Sequence, residues 1–135
     1  MTQVEGGCLC GQIRYRANAE GAMTAVCHCK SCQRQSGTAF SVLFVVPKDD
    51  ITIQGETKVF NDLADSGNKV MRHFCPNCGS PVISKLEANP AIVAVKAGTL
   101  DDASWLKPAL HVWCASKQPW VELPEHLPRF DRNPG

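Results

Sequence analysis

The sequence has 135 residues, the size of one ordinary domain that can bury its own core without a partner. Hydrophobic residues make up 44% and charged residues 20%, a balance that excludes an intrinsically disordered chain. The 14 basic and 13 acidic residues give a net charge of +1, which provides no general electrostatic footprint for nucleic acid or an anionic membrane.

The N-terminal segment gives no sign of export. It has no basic region followed by an apolar stretch, and the longest apolar run in the chain covers only residues 42–46. A membrane-spanning helix needs about 20 apolar residues, so we expect neither secretion nor a membrane span. The sequence thus predicts a cytoplasmic protein. In that reducing compartment clustered cysteines indicate metal ligands or reactive thiols rather than disulfides.

Short segments of alternating apolar and polar residues dominate the chain, and long helical periods are missing. This pattern predicts a mainly β fold of short antiparallel strands. The predicted strands, in chain order, cover residues 11–17, 23–27, 38–46, 51–53, 57–60, 70–74, 82–86, 92–97 and 110–113. Residues 54–56 include Gly55 and predict a three-residue hairpin connection between the fourth and fifth of these strands.

The remaining segments predict little regular structure. Residues 33–37 favour one turn of helix that stops at Gly37, and residues 101–105 favour a second short helical turn. Residues 61–69, which include Ser66, predict a loop. We expect a single domain with a core of about residues 4–123, because prolines recur from Pro119 onward and should keep the tail, residues 124–135, on the surface.

Seven of the eight cysteines fall into three clusters, which are Cys8 and Cys10, Cys27, Cys29 and Cys32, and Cys75 and Cys78. Thiolates are the soft ligands that zinc takes up in tetrahedral geometry, and closely spaced pairs let one loop supply two ligands. The segment Cys75-Pro76-Asn77-Cys78-Gly79, between two predicted strands, is typical of a zinc ribbon. No βαβ pattern surrounds it, which disfavours a redox Cys-x-x-Cys motif.

The spacing allows two divisions of these ligands. Cys8, Cys10, Cys75 and Cys78 could form a closed four-thiolate structural site, which leaves Cys27, Cys29 and Cys32 as a catalytic site with an open position. Alternatively, the second and third cysteines of the central cluster could join Cys75 and Cys78 in a standard ribbon, with the other three left over. Spacing alone does not decide between these arrangements.

Two further residues could be ligands. His28 lies among the central cysteines, but in an extended segment its side chain points away from those of Cys27 and Cys29, which favours a supporting role. Cys114 stands alone between apolar residues and is more typical of a small buried hydrophobe than of a distant fourth ligand.

Several motifs together resemble one known family, the glutathione-dependent formaldehyde-activating enzymes, also called the centromere protein V/GFA domain. The resemblance rests on Gly7-Cys8-Leu9-Cys10-Gly11, Cys27-His28-Cys29-Lys30-Ser31-Cys32 with Gly37 and Phe40, Phe74-Cys75-Pro76-Asn77-Cys78-Gly79, and His111 with Ser116-Lys117-Gln118-Pro119-Trp120. It implies a mainly β, Mss4-like β-tent fold with two zinc ions. It also implies that Cys8, Cys10, Cys75 and Cys78 bind the structural zinc and that Cys27, Cys29 and Cys32 bind the catalytic one.

The activity implied by the resemblance is carbon–sulfur lyase chemistry, in which glutathione adds to formaldehyde to give S-hydroxymethylglutathione, or the reverse. An open zinc position could activate the thiol or polarise the aldehyde, and three thiolate ligands favour thiol activation. Arg34 and Lys117 are candidates for binding substrate carboxylates. Trp120 and Trp113 are candidates for lining a pocket, with core packing as the alternative.

Two other functions remain open at this point. A non-catalytic, zinc-stabilised binding or chaperone-like module of Mss4-like fold would suit a second site closed by His28 or Cys114. A nucleic-acid-binding zinc ribbon is disfavoured by the net charge of +1. The expected partner is therefore a small thiol or thiol–aldehyde adduct, with no nucleic acid and no membrane.

Overall fold

A computed structural model describes residues 2–64 and 67–132 and confirms the mainly β fold. Within those residues lie ten strands, and their bounds are β1 Gln3–Gly7, β2 Arg14–Asn18, β3 Met23–Cys27, β4 Ser41–Pro47, β5 Ile51–Gln54, β6 Lys58–Leu63, β7 Lys69–Phe74, β8 Pro81–Leu86, β9 Asn89–Lys96 and β10 Leu110–Val112. One α-helix, α1, covers Lys30–Ser36, and short 3-10 turns cover Lys48–Asp50, Ala97–Thr99 and Cys114–Ser116. None of the described helices is long and apolar enough to cross a membrane.

The strands form two sheets. A three-stranded antiparallel sheet has the order β1-β2-β5, and a seven-stranded sheet has the order β10-β3-β4-β9-β8-β7-β6. Neighbours in the larger sheet run antiparallel except β10, which lies parallel to β3. The ribbon predicted around Cys75 and Cys78 is present, because β7 enters the knuckle and β8 leaves it antiparallel.

The main core combines side chains of both sheets. Ile13 and Tyr15 belong to the same buried cluster as Phe44 and Val46 of β4. Because successive residues of a strand point to opposite faces, Leu43 and Val45 lie on the other face of the large sheet. That second face carries the candidate site described below.

The predicted hairpin between residues 51–53 and 57–60 is wrong. β5 pairs with β2 of the small sheet, whereas β6 pairs with β7 of the large sheet. Gly55 lies where the chain passes from the small sheet to the large one, and its φ is 97°. The backbone oxygen of Gln12 lies 2.5 Å from where a Cβ of residue 55 would be. The glycine therefore serves a close approach of two segments rather than a tight hairpin.

Two predicted helical turns differ from the structure. The helix near Gly37 begins earlier than predicted, at Lys30, and ends with Gly37 in the left-handed conformation. Residues 101–105 form no helix, because the Asp102 carboxylate accepts hydrogen bonds from the backbone N–H and hydroxyl of Ser104 and so favours a turn.

The predicted loop 61–69 is shorter than expected, because β6 continues to Leu63. Ser66 lies outside the described residues. The tail runs along the edge strand β10, where the His111 N–H donates to the Pro128 carbonyl and the Phe130 N–H donates to the His111 carbonyl, both at 2.9 Å. The predicted boundary between the core and the tail, near residue 123, stays a prediction.

Tyr15 is the only tyrosine of the chain and gives a direct test of the core. Its side chain is buried, its hydroxyl lies 2.7 Å from Thr99 Oγ1, and burial raises its pKa to about 12. The unfolded state ionises from about pH 10, so stability should fall between pH 10 and 12 as only that state releases the proton. We expect tyrosinate absorbance of the folded protein to titrate near pH 12, and a midpoint near 10 would contradict this packing.

Candidate metal centres and cavity

The first candidate metal centre joins the N-terminal turn to the ribbon knuckle. The Sγ atoms of Cys8, Cys10, Cys75 and Cys78 all lie within 4.8 Å of one another. Cys10 Sγ lies 3.6 Å from Cys8 Sγ and 3.7 Å from Cys75 Sγ. Four sulfurs at about 2.3 Å from a central zinc would stand about 3.8 Å apart, so this donor set fits a tetrahedral four-thiolate ion.

Local backbone geometry prepares these thiols to bind a cation. The N–H of Ile13 donates to Cys8 Sγ at 3.1 Å, and the N–H of Asn77 donates to Cys75 Sγ at 3.4 Å. Hydrogen bonds from Ser80 lower the pKa of Cys78 to about 5. Donors directed at sulfur stabilise the thiolate form, which is the form that binds metal.

The second candidate centre lies where β3 meets α1. Cys27 ends the strand, Cys29 is the N-cap residue of the helix, and Cys32 lies in its first turn. The three buried sulfurs lie within 4.8 Å of one another. Cys29 Sγ accepts the N–H of Cys32 at 3.3 Å, so one side chain caps the helix and faces the cluster. The structure thus groups the sulfurs as four and three, the first of the two divisions that spacing allows.

The pKa values within the second centre are coupled. Hydrogen bonds from Cys27 and Cys29 lower the pKa of Cys32, and the positive charges of Lys96 and Arg72 act in the same direction. Hydrogen bonds with Cys29 and Cys32, followed by burial, raise the pKa of Cys27. Without a cation the cluster therefore holds one negative charge most readily on Cys32.

His28 and Cys114 belong to neither sulfur group among the described residues. His28 is fully buried and its Nε2 lies 3.0 Å from Nδ1 of His111. Burial, followed by the neighbouring His111, lowers the pKa of His28 to about 4, so the ring is neutral at pH 7. Cys114 is half-buried beside the tail, where its N–H donates to the Phe130 carbonyl.

A cavity of about 290 Å³ opens from the three-cysteine cluster along the second face of the large sheet. Most of its lining is aliphatic, and the larger apolar side chains are Leu43, Val45, Val70, Leu86, Ile92 and Val112. They come from five different strands, which places the cavity across the sheet rather than in a loop. The arrangement provides a partly enclosed apolar space with sulfur ligands at one end.

Four polar residues of the cavity lining, Asn68, Arg72, Ser84 and Lys96, are not among the site residues predicted from the sequence. Arg72 and Lys96 are 4% and 6% exposed, and the hydroxyl of buried Ser84 has no hydrogen-bond partner among the described residues. Arg72 Nε donates to Asp62 Oδ2 at 2.8 Å. The sequence did contain a signal for two of them. Arg72 follows Val70 by two residues and Lys96 follows Ala94 by two, so each charged side chain shares a strand face with an apolar residue.

Lys96 links the sheet to the helix that carries Cys32. Its Nζ donates to Ser41 Oγ at 2.8 Å and to Ser36 Oγ at 3.2 Å. Burial lowers the pKa of Lys96, whereas the negative charge of Cys32 opposes this change. The ammonium is therefore held in place close to the cluster, where it offsets thiolate charge.

Comparison with known proteins identifies the family. The sequence pattern of the family described as "Glutathione-dependent formaldehyde-activating enzyme" matches residues 3–116. The chain belongs to this family. The match covers both sulfur groups and the strands that line the cavity.

Two curated proteins that the chain matches are distant in sequence and longer. A protein of Aspergillus flavus named for glutathione-dependent formaldehyde activation is 26% identical over 106 residues, covering 75% of this chain and 55% of its own. A Penicillium rubens protein with the same name is 23% identical over 104 residues, covering 75% of this chain and 54% of its own. The chain thus spans about half the length of the curated relatives it matches.

A solved structure of a Rhodobacter sphaeroides protein has the same fold. It superposes with a TM-score of 0.57 at 18% identity, covering 77% of this chain and 91% of that one. At this identity the likeness concerns the fold alone.

Arg34, Lys117 and Trp120, which were predicted to contact substrate, do not line the cavity around the three cysteines. Arg34 is exposed on α1, and Trp120 is 71% exposed. Lys117 Nζ donates to the carbonyls of Gln118 and Val121 at 3.0 and 2.8 Å. Trp113, by contrast, borders the cavity. The roles of the first three as substrate contacts stay predictions.

Proposed function

We propose that this protein is a zinc-dependent enzyme of carbon–sulfur lyase type that acts on a thiol–aldehyde adduct, such as S-hydroxymethylglutathione. The observation that carries the proposal is the group of three buried sulfurs, with no fourth His, Cys, Asp or Glu ligand among the described residues, at the end of a cavity. The names of the longer relatives supply glutathione and formaldehyde as the candidate substrates.

Two zinc ions per chain fit the two sulfur groups. Cys8, Cys10, Cys75 and Cys78 would hold a structural ion, and Cys27, Cys29 and Cys32 would hold the catalytic one. Zinc in an open site favours the ionised form of a thiol and polarises a carbonyl oxygen. Arg34, Lys117 and Trp120 would then contact parts of a substrate that extend beyond the cavity.

The charges around the second site suit an anionic reactant. Three thiolates and a divalent ion sum to one negative charge, the Lys96 ammonium offsets it, and Arg72 is neutralised by Asp62. In the addition, a sulfur–carbon bond forms while the carbonyl π bond opens, and the oxygen receives the proton that the thiol lost. Lys96 and Ser84 supply the positive charge and the hydroxyl that line the cavity where that oxygen gains charge.

We place the reaction in the cytoplasm, since none of the eight cysteines forms a disulfide in the structure and reducing conditions keep them so. Neither nucleic acid nor a membrane is proposed as a partner. The net charge of +1 supports this proposal.

A second candidate is a non-catalytic, zinc-stabilised binding or chaperone-like module. The observation that favours it lies on the edge strand β6, where Val59, Phe60 and Leu63 are exposed. Exposed apolar side chains on an unpaired sheet edge are typical of a surface that binds another chain.

The experiment that separates these functions is elemental analysis of purified protein, followed by thiol titration of cobalt-substituted protein. We expect two metal ions per chain and a thiol-induced change in the cobalt spectrum at one of them. With formaldehyde present, the protein should also accelerate adduct formation from the thiol that binds. Two ions that respond to no thiol, or one inert ion, would favour the binding module.

A further inference from the structure

We propose that the cavity beside Cys27, Cys29 and Cys32 selects a compact thiol with an uncharged, apolar body, or the aldehyde adduct of such a thiol. This inference rests on the proposed thiol–aldehyde chemistry and names the substrate class of the same site. It implies that free glutathione, a tripeptide with several charges, is a poorer ligand than a short aliphatic thiol.

The aliphatic lining follows from the alternation of side chains along the strands. Ala94 of β9 stands opposite Val45 of β4 and Ser84 of β8, and Leu43 of β4 stands opposite Lys96. These side chains share one face of the sheet, and all of them border the cavity. Apart from Asn68, Trp113 and the polar residues near the sulfur cluster, the side chains offered to a ligand are aliphatic.

The polar groups of the cavity already have partners for their charges. The Arg72 guanidinium pairs with Asp62, and the Lys96 ammonium donates to two serine hydroxyls beside the anionic sulfur cluster. Among the described residues that line the cavity, none is an aspartate or glutamate. The ammonium group of glutathione would have no carboxylate to meet, and its two carboxylates would compete for cations already paired.

The size of the cavity supports the same conclusion. Its volume of about 290 Å³ is at the lower limit of ligand pockets, which typically begin at about 300 Å³. A short thiol fills such a space, whereas a tripeptide would leave much of its polar backbone outside or unpaired. The thiol–aldehyde adduct adds one hydroxyl, and the buried Ser84 hydroxyl, which has no hydrogen-bond partner among the described residues, can pair with it.

The test is a titration of cobalt-substituted protein with ethanethiol, 1-propanethiol and 1-butanethiol, and separately with cysteamine and glutathione. Each buried methylene should tighten binding about fourfold, as expected from its transfer out of water. Cysteamine should bind more weakly than 1-propanethiol, because its ammonium has no carboxylate partner in the lining. Glutathione should bind at least about tenfold more weakly than 1-butanethiol.

A pair of leucine variants tests whether the cavity is the site of this selectivity. Leu43→Ala removes an apolar side chain from the lining and should flatten the dependence on chain length. Leu123→Ala is the matched control, since Leu123 is half-buried and does not border the cavity. It should leave the series unchanged. The thiol titrations of the wild-type protein test the inference without either variant.

The outcomes separate this inference from the proposed function. Ligation of every thiol with equal affinity, or tighter ligation of glutathione, overturns the apolar selectivity but leaves the thiol chemistry intact. A cobalt spectrum that no thiol changes overturns the proposed function and the inference together.

Discussion

Replacing Cys75 with serine should unfold the domain or lower its melting temperature by more than about 15 °C. Cys75 is fully buried and its sulfur lies 3.7 Å from Cys10 Sγ, at the junction of the N-terminal turn and the ribbon knuckle. Structural zinc sites contribute about 10–16 kcal/mol, which equals or exceeds the whole stability of a typical domain. Loss of even about 5 kcal/mol would produce the expected shift in melting temperature for a chain of this size.

The measurement for Cys75→Ser combines thermal unfolding, followed by circular dichroism, with the metal content of the purified variant. Cys114→Ser is the matched control, because Cys114 is half-buried and belongs to neither sulfur group. The control should keep two metal ions and melt close to the wild type. A Cys75→Ser variant that also keeps two ions and its melting temperature would show that the four sulfurs do not hold a structural metal.

Alternation of apolar and polar residues predicted the positions of many strands, because this pattern depends only on local sequence. The strands at residues 23–27, 70–74 and 82–86 are at or within one residue of their predicted bounds. Strand pairing depends on distant segments, and the hairpin predicted through Gly55 failed for that reason. The close approach at Gly55 is to the backbone of Gln12, 43 residues earlier, which no local turn signal reveals.

The candidate site shows the same division between local and distant information. Cysteine spacing marked all seven sulfurs but left their grouping open, since the grouping depends on the turn at residues 8–11 meeting the knuckle. There the Leu9 N–H donates to Ser80 Oγ at 3.1 Å. Arg72 and Lys96 were not predicted as cavity residues, because their place in the lining follows from strand register. That register places Arg72 opposite Ser84 and Lys96 opposite Leu43.

Replacing Cys29 with serine should abolish turnover while leaving the domain folded. Cys29 is the N-cap residue of α1, and its sulfur accepts the N–H of Cys32. Serine is a preferred N-cap residue, so its hydroxyl can take over that hydrogen bond and preserve the helix. The second centre, however, loses one of its three sulfur ligands. Catalysis that depends on a metal held there should fall roughly a hundredfold or more, since such an ion is worth several kcal/mol.

The readouts for Cys29→Ser are turnover of a thiol–aldehyde adduct, the melting temperature and the metal content. We expect about one metal ion instead of two, a melting temperature within a few degrees of the wild type, and activity at background. Cys114→Ser again controls for removing a thiol outside both groups, and it should retain activity. Unchanged turnover in a well-folded Cys29→Ser variant would remove the three-cysteine cluster from the mechanism. Because the four-cysteine centre is untouched, this variant separates catalysis from folding, which Cys75→Ser cannot do.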